Sequence, residues 1–351
     1  MNTGGIMKKT ATRLTPQLPS THEVSISQVH QSQHHNLILE NSYRTESITR
    51  ELKQLRVLLL IPSEISEKMP NVRLFKDQLR HLVKEVLAIK LHHNLEEYLA
   101  QYQPDLILAL GSESLFPEEN IPALKAYNAP KAVWMADTTC LTRTERNLAL
   151  LFDYIFTQNI ANLIYYQGLR EKHSSYLPYA PDTDLYYPRR VEKCYHSDVL
   201  ILGHFQMNNV LDTLAHSELL HGLKIMTIGS GWEPTKNFID ITYDKAEMSN
   251  YYNGARIVIN CTGSVQQIME VSACGVFQFV EDHPHLQSYP IAEESLIRFQ
   301  NFKELSESFR YYIAHSDERR SSASRALKEV KYNYSYLQQG KLLLKKIFTE
   351  P

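Results

Sequence analysis

No apolar run in this chain reaches the roughly 18 residues that a spanning helix requires, so no transmembrane segment is expected. An excess of charge of one sign is also missing. Lys and Arg number 37 against 39 Asp and Glu, a formal net charge of -2, which gives no electrostatic basis for holding nucleic acid or an anionic membrane surface. Cysteine is sparse: Cys140, Cys194, Cys261 and Cys274 lie far apart with no Cys-x-x-Cys pair, a pattern that points to free thiols and a cytoplasmic protein. Lys8, Lys9 and Arg13 are followed by no apolar core, so they are not read as a secretory signal. Glycine is absent from residues 63–70, directly after the first buried run, so the glycine-rich loop that cradles a dinucleotide is not expected there.

What is present suits two domains and a tail. Residues 1–45 are rich in Thr, Ser, Gln, His and Pro, show no apolar period, and bury too little to offset an ordering cost of about 1–2 kcal/mol per residue. They are expected to be disordered. His30, His34 and His35 fall in this tail without the carboxylate or Cys that would complete a metal site. From residue 46 short apolar runs at 56–62, 104–111, 131–137, 153–157 and 176–180 alternate with helical stretches, and 72–103 reads as helix, short strand, helix. That alternation predicts an α/β fold with a parallel sheet covered on both faces. Pro178, Pro181 and Pro188 mark a stiff boundary, giving a first domain over 46–182 and a second over 183–332. The second opens on a strand at 197–203. A helix at 208–221, a strand at 223–229 and a tight turn at Gly229-Ser230-Gly231-Trp232 follow. Further on come a short helix at 247–253, a brief strand at 296–299 and three closing helices at 303–315, 317–330 and 334–348.

The stretch from Asn253 to Asp282 organises this second half. Arg256 to Asn260 is a short β-branched strand, and Ile268, Met269, Val271 and Ala273 form the apolar side of a helix. That helix stops at Gly275, the residue type favoured just past a helix end, and Val276 to Val280 is a second strand. One carboxylate, Glu270, interrupts the apolar helix just past a parallel strand, the edge at which open α/β sheets bind ligands. A buried Glu requires partners. Gly203 and Gly229 end neighbouring strands, where glycine lets backbone N–H groups approach a diphosphate. Each such glycine is also common in any α/β fold.

The run Glu270-Val271-Ser272-Ala273-Cys274-Gly275, and the segment Tyr176-Leu177-Pro178-Tyr179-Ala180-Pro181-Asp182 through Pro188, resemble the two-domain (GT-B) glycosyltransferases, most closely the spore-maturation, CgeB-like group. The resemblance runs from about residue 55 to 348. It implies two Rossmann-like domains facing across a cleft, with the C-terminal helix, 333–351, packed back on the first. It also implies a nucleotide-diphosphate sugar donor whose ribose hydroxyls Glu270 holds, lined by Gly203, Gly229, Gly275 and Gln267, and an unknown acceptor (glycan, protein or small molecule). Asp137, at the end of a first-domain strand, is the candidate base for the acceptor hydroxyl, beside the alternative that it caps the following segment. Glu113 is a second candidate. No metal site or other cofactor is read, in keeping with a metal-independent transferase, and His283 and His285 with Glu281 and Asp282 are read as a solvated loop.

Departures from the family accompany the matches. Its arginines after the first glycine of the second domain and three residues before the helix Glu are replaced here by Met207, Asn208 and Asn209 and by Gln267, and Thr262 stands where the broader family has a second Glu. Arginine is the residue suited to clamping a diphosphate. Lys236 or Lys245 is the nearest substitute. A non-catalytic relative that binds a glycan, nucleotide or protein is therefore the alternative function, and a nucleotide-sugar epimerase is a third.

Overall fold

The computed structural model describes residues 51–62, 71–90, 94–111, 116–136, 142–170, 173–178, 180–207, 209–232, 238–283, 286 and 294–349. The predicted polar tail, Glu113 and Asp137 lie outside them.

The first half alternates as expected: β1 (Arg56–Ile61), α1 (Val72–Arg80), β2 (Glu85–Lys90), α2 (Leu95–Tyr102), β3 (Leu106–Gly111), α3 (Ile121–Ala126), β4 (Lys131–Met135), α4 (Arg143–Ala149), β5 (Tyr154–Thr157), α5 (Ile160–Leu169) and β6 (Ser174–Tyr176). The strands form one sheet in the order β2-β1-β3-β4-β5-β6, parallel at every pairing. β3 is buried at all six positions, which is why it reads as an unbroken apolar run: a parallel strand covered on both faces has no solvent side. Successive residues serve opposite cores. Val57, Leu59 and Leu108 join Phe75 and Trp134 on one face, while Leu58, Leu60 and Ile107 join Phe152 and Tyr166 on the other.

The second half repeats the scheme with β7 (Ser197–Leu202), α6 (Val210–Ala215), β8 (Ile225–Ile228), β9 (Phe238–Ile241), α7 (Lys245–Gly254), β10 (Ala255–Asn260), α8 (Val265–Ala273), β11 (Gln278–Glu281) and β12 (Ile297–Phe299), closed by α9 (Phe302–Ala314), α10 (Ser316–Asn333) and α11 (Tyr336–Thr349). Its sheet order is β12-β11-β10-β7-β8-β9, again all parallel. The last two helices part company. Val330 of α10 shares the second sheet's core, whereas Tyr336, Leu343, Leu344 and Ile347 of α11 share a core with Val57 and Phe75 of the first. The Asn71 N–H donates to the Tyr336 hydroxyl at 2.8 Å, and the Tyr154 hydroxyl to the Ile347 carbonyl at 3.3 Å.

Three elements differ from the sequence reading. The expected strand at 176–180 is instead Ser174–Tyr176; Pro178 has no N–H to give to a ladder, and the Leu177 carbonyl is taken by the Trp134 indole at 3.2 Å. The expected helix 208–221 breaks after Ala215, where the Ser217 hydroxyl accepts from the Leu219 N–H at 3.3 Å and starts a separate short turn. β9 was not expected at all. It is an edge strand of four residues, two of them exposed, so it lacks the buried run that betrays the central strands.

Candidate functional site at the carboxyl edge of the second sheet

β7 is the first strand of its sheet and sits centrally, with β8 on one side and β10 on the other. Strand order thus reverses between β7 and β10. In open α/β sheets the crevice beyond the carboxyl ends at that reversal is where ligands sit. The loops after β7 and β10 frame it, and they touch: a Cβ added to Gly203 would lie 3.2 Å from the Cβ of Cys261.

The two predicted glycines meet there. A Cβ on Gly229 would stand 2.0 Å from the Gly203 carbonyl oxygen, and Gly229 has φ +151°, so these positions let two backbone segments abut. The Gly203 N–H donates to the Ile228 carbonyl at 3.0 Å and its carbonyl accepts from the Trp232 indole at 2.9 Å. The geometry accounts for both glycines by packing, Gly229 against the Gly203 backbone and Gly203 against Leu211 and Cys261. Beside them the His204 Nδ1 lies 2.8 Å from the Ser230 hydroxyl, a polar pair on the crevice rim that the sequence did not single out.

α8 starts from a dense local cap. The Asn260 carboxamide oxygen accepts from the Thr262 N–H at 3.2 Å and its hydroxyl at 2.7 Å. The Thr262 hydroxyl accepts from the Ser264 N–H at 3.1 Å, and the Ser264 hydroxyl from the Gln267 N–H at 3.4 Å. Polar side chains thereby occupy N–H groups that a helix start otherwise leaves open. Thr262 serves this turn. Gln267 stands on the first turn of α8, half-buried.

Glu270 is 1% exposed. Its Oε1 accepts from the Gln266 amide at 2.9 Å, the i, i+4 neighbour on the same helix face. Tyr186 and Tyr252 are packed beside it: burial, and then the Glu270 charge, push both phenols far above their ordinary range. The Cys274 thiol is pushed up to about 12 by burial and then by Glu270, with Arg189 pulling the other way. The carboxylate is therefore covered, and a ligand reaches it only by displacing side chains around it. The helix itself is tied to β11 by Gln278, whose amide donates to the Ile268 carbonyl and the Ser272 hydroxyl, each at 2.9 Å. At its far end Gly275 adopts φ +68° and its N–H donates to the Ser272 carbonyl at 2.9 Å, the left-handed stop expected after a helix. A Cβ there would meet Leu327 and Pro188 at 3.3 Å. Gly275 therefore packs at the opposite end of α8 from the crevice.

Lys236 and His285, like Asp137 and Glu113, lie outside the described residues. Asn209 caps α6: its carboxamide oxygen accepts from the Asp212 N–H at 2.9 Å. His283 approaches Glu281 at 3.8 Å, and burial, followed by the Glu281 charge, raises the Cys261 thiol well above its ordinary value. Asp182-Thr183-Asp184 has the Asp-x-Asp spacing, which corrects the expectation that the chain has no such motif. Its carboxylates serve the junction instead, Asp182 accepting from the Asn71 amide at 2.6 Å and Asp184 pairing with Arg73 at 3.1 Å. Among the described residues no group of three or more His, Cys, Asp or Glu is arranged to hold a metal ion, and no helix is long and apolar enough to cross a membrane.

Two parallel six-stranded α/β sheets, the second with a central strand-order reversal, define the chain as a protein of the GT-B glycosyltransferase fold. The structure is similar to a glycosyltransferase from Rickettsia africae ESF-5 (12% identity, TM-score 0.59, covering 85% of this chain and 100% of that one). It is also similar to Anabaena HepE in complex with UDP-glucose (11% identity, TM-score 0.55, covering 83% and 99%). At such identities the likeness establishes the fold alone. Residues 208–345 match the glycosyl transferase-like family model, and the chain is similar to spore protein CgeB of Bacillus subtilis (strain 168), 25% identical over 256 residues that span 65% of this chain and 78% of that protein.

Proposed function

We propose that this protein transfers a sugar from a nucleotide-diphosphate donor, without a metal ion, to an acceptor hydroxyl. The donor lies in the crevice between the loops after β7 and β10, and Glu270 holds the ribose. The observation that carries this reading is the position of Glu270: the one carboxylate on α8, directly beyond β10 at the strand-order reversal, inside the segment that matches the glycosyl transferase-like family. HepE, with which the fold is shared, is a UDP-glucose complex, and a nucleotide sugar suits the same edge here. In this account residues 46–182 with the C-terminal helix form the acceptor half and 183–332 the donor half. Asp137, which follows β4 in the sequence, takes the acceptor proton.

A non-catalytic binding role is the second reading, and two observations favour it. Asn209 is spent on a helix cap where a diphosphate-clamping arginine would stand, and Glu270 is covered by tyrosines and held by Gln266. Calorimetry with uridine, guanosine and thymidine diphosphates tests for a donor site, and donor hydrolysis by the wild type tests for turnover. Binding without hydrolysis supports the second reading; no binding to any of the three removes the first.

A further inference from the structure

The second sheet has a cavity at its other end. It measures about 590 Å³ and lies against the first residues of β10, Ala255 and Arg256, and the exit of α8. Six-residue β10 spans roughly 17 Å, at about 3.3 Å per residue, between this cavity and the loop after β10, while Cys274 in its lining follows Glu270 by one turn of α8, about 6 Å along the helix. Its floor is apolar, with Pro188, Val276, Phe277 and Leu327, and four arginines surround it: Arg189, Arg256, Arg319 and Arg320. No Asp or Glu lines it.

The nearby acidic groups leave most of that charge unneutralised. Arg256 reaches Asp198 only at 3.9 Å, and the Arg320 pair with Asp317, at 3.4 Å, joins two exposed side chains, where such a pair is worth little. Arg319 is 7% exposed and donates to the Tyr312 and Ile313 carbonyls, while Arg256 donates to the Ile313 carbonyl at 3.1 Å. These contacts fix two guanidinium groups at the end of α9 without cancelling their charge. Burial, then the neighbouring charges of Arg256 and Arg320, lower the Arg319 pKa. Arg189 donates to the Asn250 carboxamide at 2.8 Å, and its Nε is buried with no hydrogen-bond partner.

Four guanidinium groups, two of them fixed, over an apolar floor form a site for an anion with an organic body. We propose that this cavity binds an organic phosphate, separately from the nucleotide-sugar crevice, with Arg189 and Arg320 as the guanidinium groups freest to meet the phosphate. The inference does not depend on the transferase reading.

Calorimetry with inorganic pyrophosphate and with glucose 6-phosphate, on wild type, Arg189→Gln/Arg320→Gln and Glu270→Ala, tests it. Arg320 is exposed and Arg189→Gln gives up one hydrogen bond to Asn250, so the double variant should stay folded and melt only a few degrees below the wild type. The expected result is that both probes bind the wild type, that the double variant weakens them tenfold or more, the factor of about one lost charged hydrogen bond, and that Glu270→Ala binds as the wild type does. Glucose 6-phosphate binding more tightly than pyrophosphate supports use of the apolar floor. No binding of either probe to the wild type overturns the proposal. So does unaltered binding by a folded double variant, or loss confined to Glu270→Ala, which would place the anion in the crevice.

Discussion

Replacing Gly229 with alanine should destabilise the protein severely, and the structure gives the size of the effect. The new methyl would stand 2.0 Å from the Gly203 carbonyl oxygen and 2.6 Å from its carbon, both backbone atoms that no rotamer change can clear. Two costs combine. A φ of +151° belongs to a region that only glycine enters freely, worth about 1–3 kcal/mol for another residue, and forcing packed backbone apart costs about 1–3 kcal/mol more. Against a total stability of about 5–15 kcal/mol, the combination removes a large part of the margin. Urea denaturation followed by circular dichroism should show a much lower midpoint at unchanged slope. Gly168→Ala is the control: that glycine lies in α5, exposed, with nothing within 4 Å of an added Cβ, and should gain about 0.5–1 kcal/mol. If Gly229→Ala unfolds at the wild-type midpoint, the two strand ends do not abut as described. A loss of nucleotide affinity alone would return Gly229 to a ligand-contact role.

Three further outcomes are expected. Leu343→Ala, at a residue of α11 with no exposed surface, should cost about 2–5 kcal/mol by denaturant titration, although it lies near the chain's end. Stability should fall as pH rises past about 9 toward 12, because Cys274 rises from 9.0 to about 12 on folding and Tyr334, through burial and then Glu329, from 10.0 to about 12. Between the unfolded and folded values the native state binds more protons, so deprotonation favours unfolding, and denaturation midpoints at pH 8, 9.5 and 10.5 check the sign. A thiol reagent at pH 8 should label exposed Cys194 quickly and leave buried Cys274 protected, as peptide mapping after a short pulse would show.

Much of this architecture is legible in the sequence. β1, β3, β4, β7 and β10 are buried apolar runs, and burial on both faces is what writes a central parallel strand into sequence. β9 escaped because an edge strand needs no such run. The position of Glu270 on α8 was legible too, since a lone carboxylate in an apolar helix stands out. Its surroundings were not: Tyr186 precedes it by 84 positions and Tyr252 by 18, and nothing local announces that they converge. Gly229 and Gly203 were legible as special backbone positions, while the reason, their mutual contact, belongs to a sheet register that no single strand encodes. The basic cavity was likewise invisible, its arginines being spread from 189 to 320 and brought together only when α10 packs against the exit of α8.

Isothermal titration of uridine, guanosine and thymidine diphosphates into wild type and Glu270→Ala tests the central claim most directly. With Glu270 on the ribose, at least one diphosphate binds the wild type, and the variant stays folded but binds tenfold or more weakly, one charged hydrogen bond being worth about 1.5–3 kcal/mol. Equal affinity in the two proteins, or no binding by the wild type together with a drop in the variant's melting temperature, would make Glu270 a structural carboxylate and contradict the account.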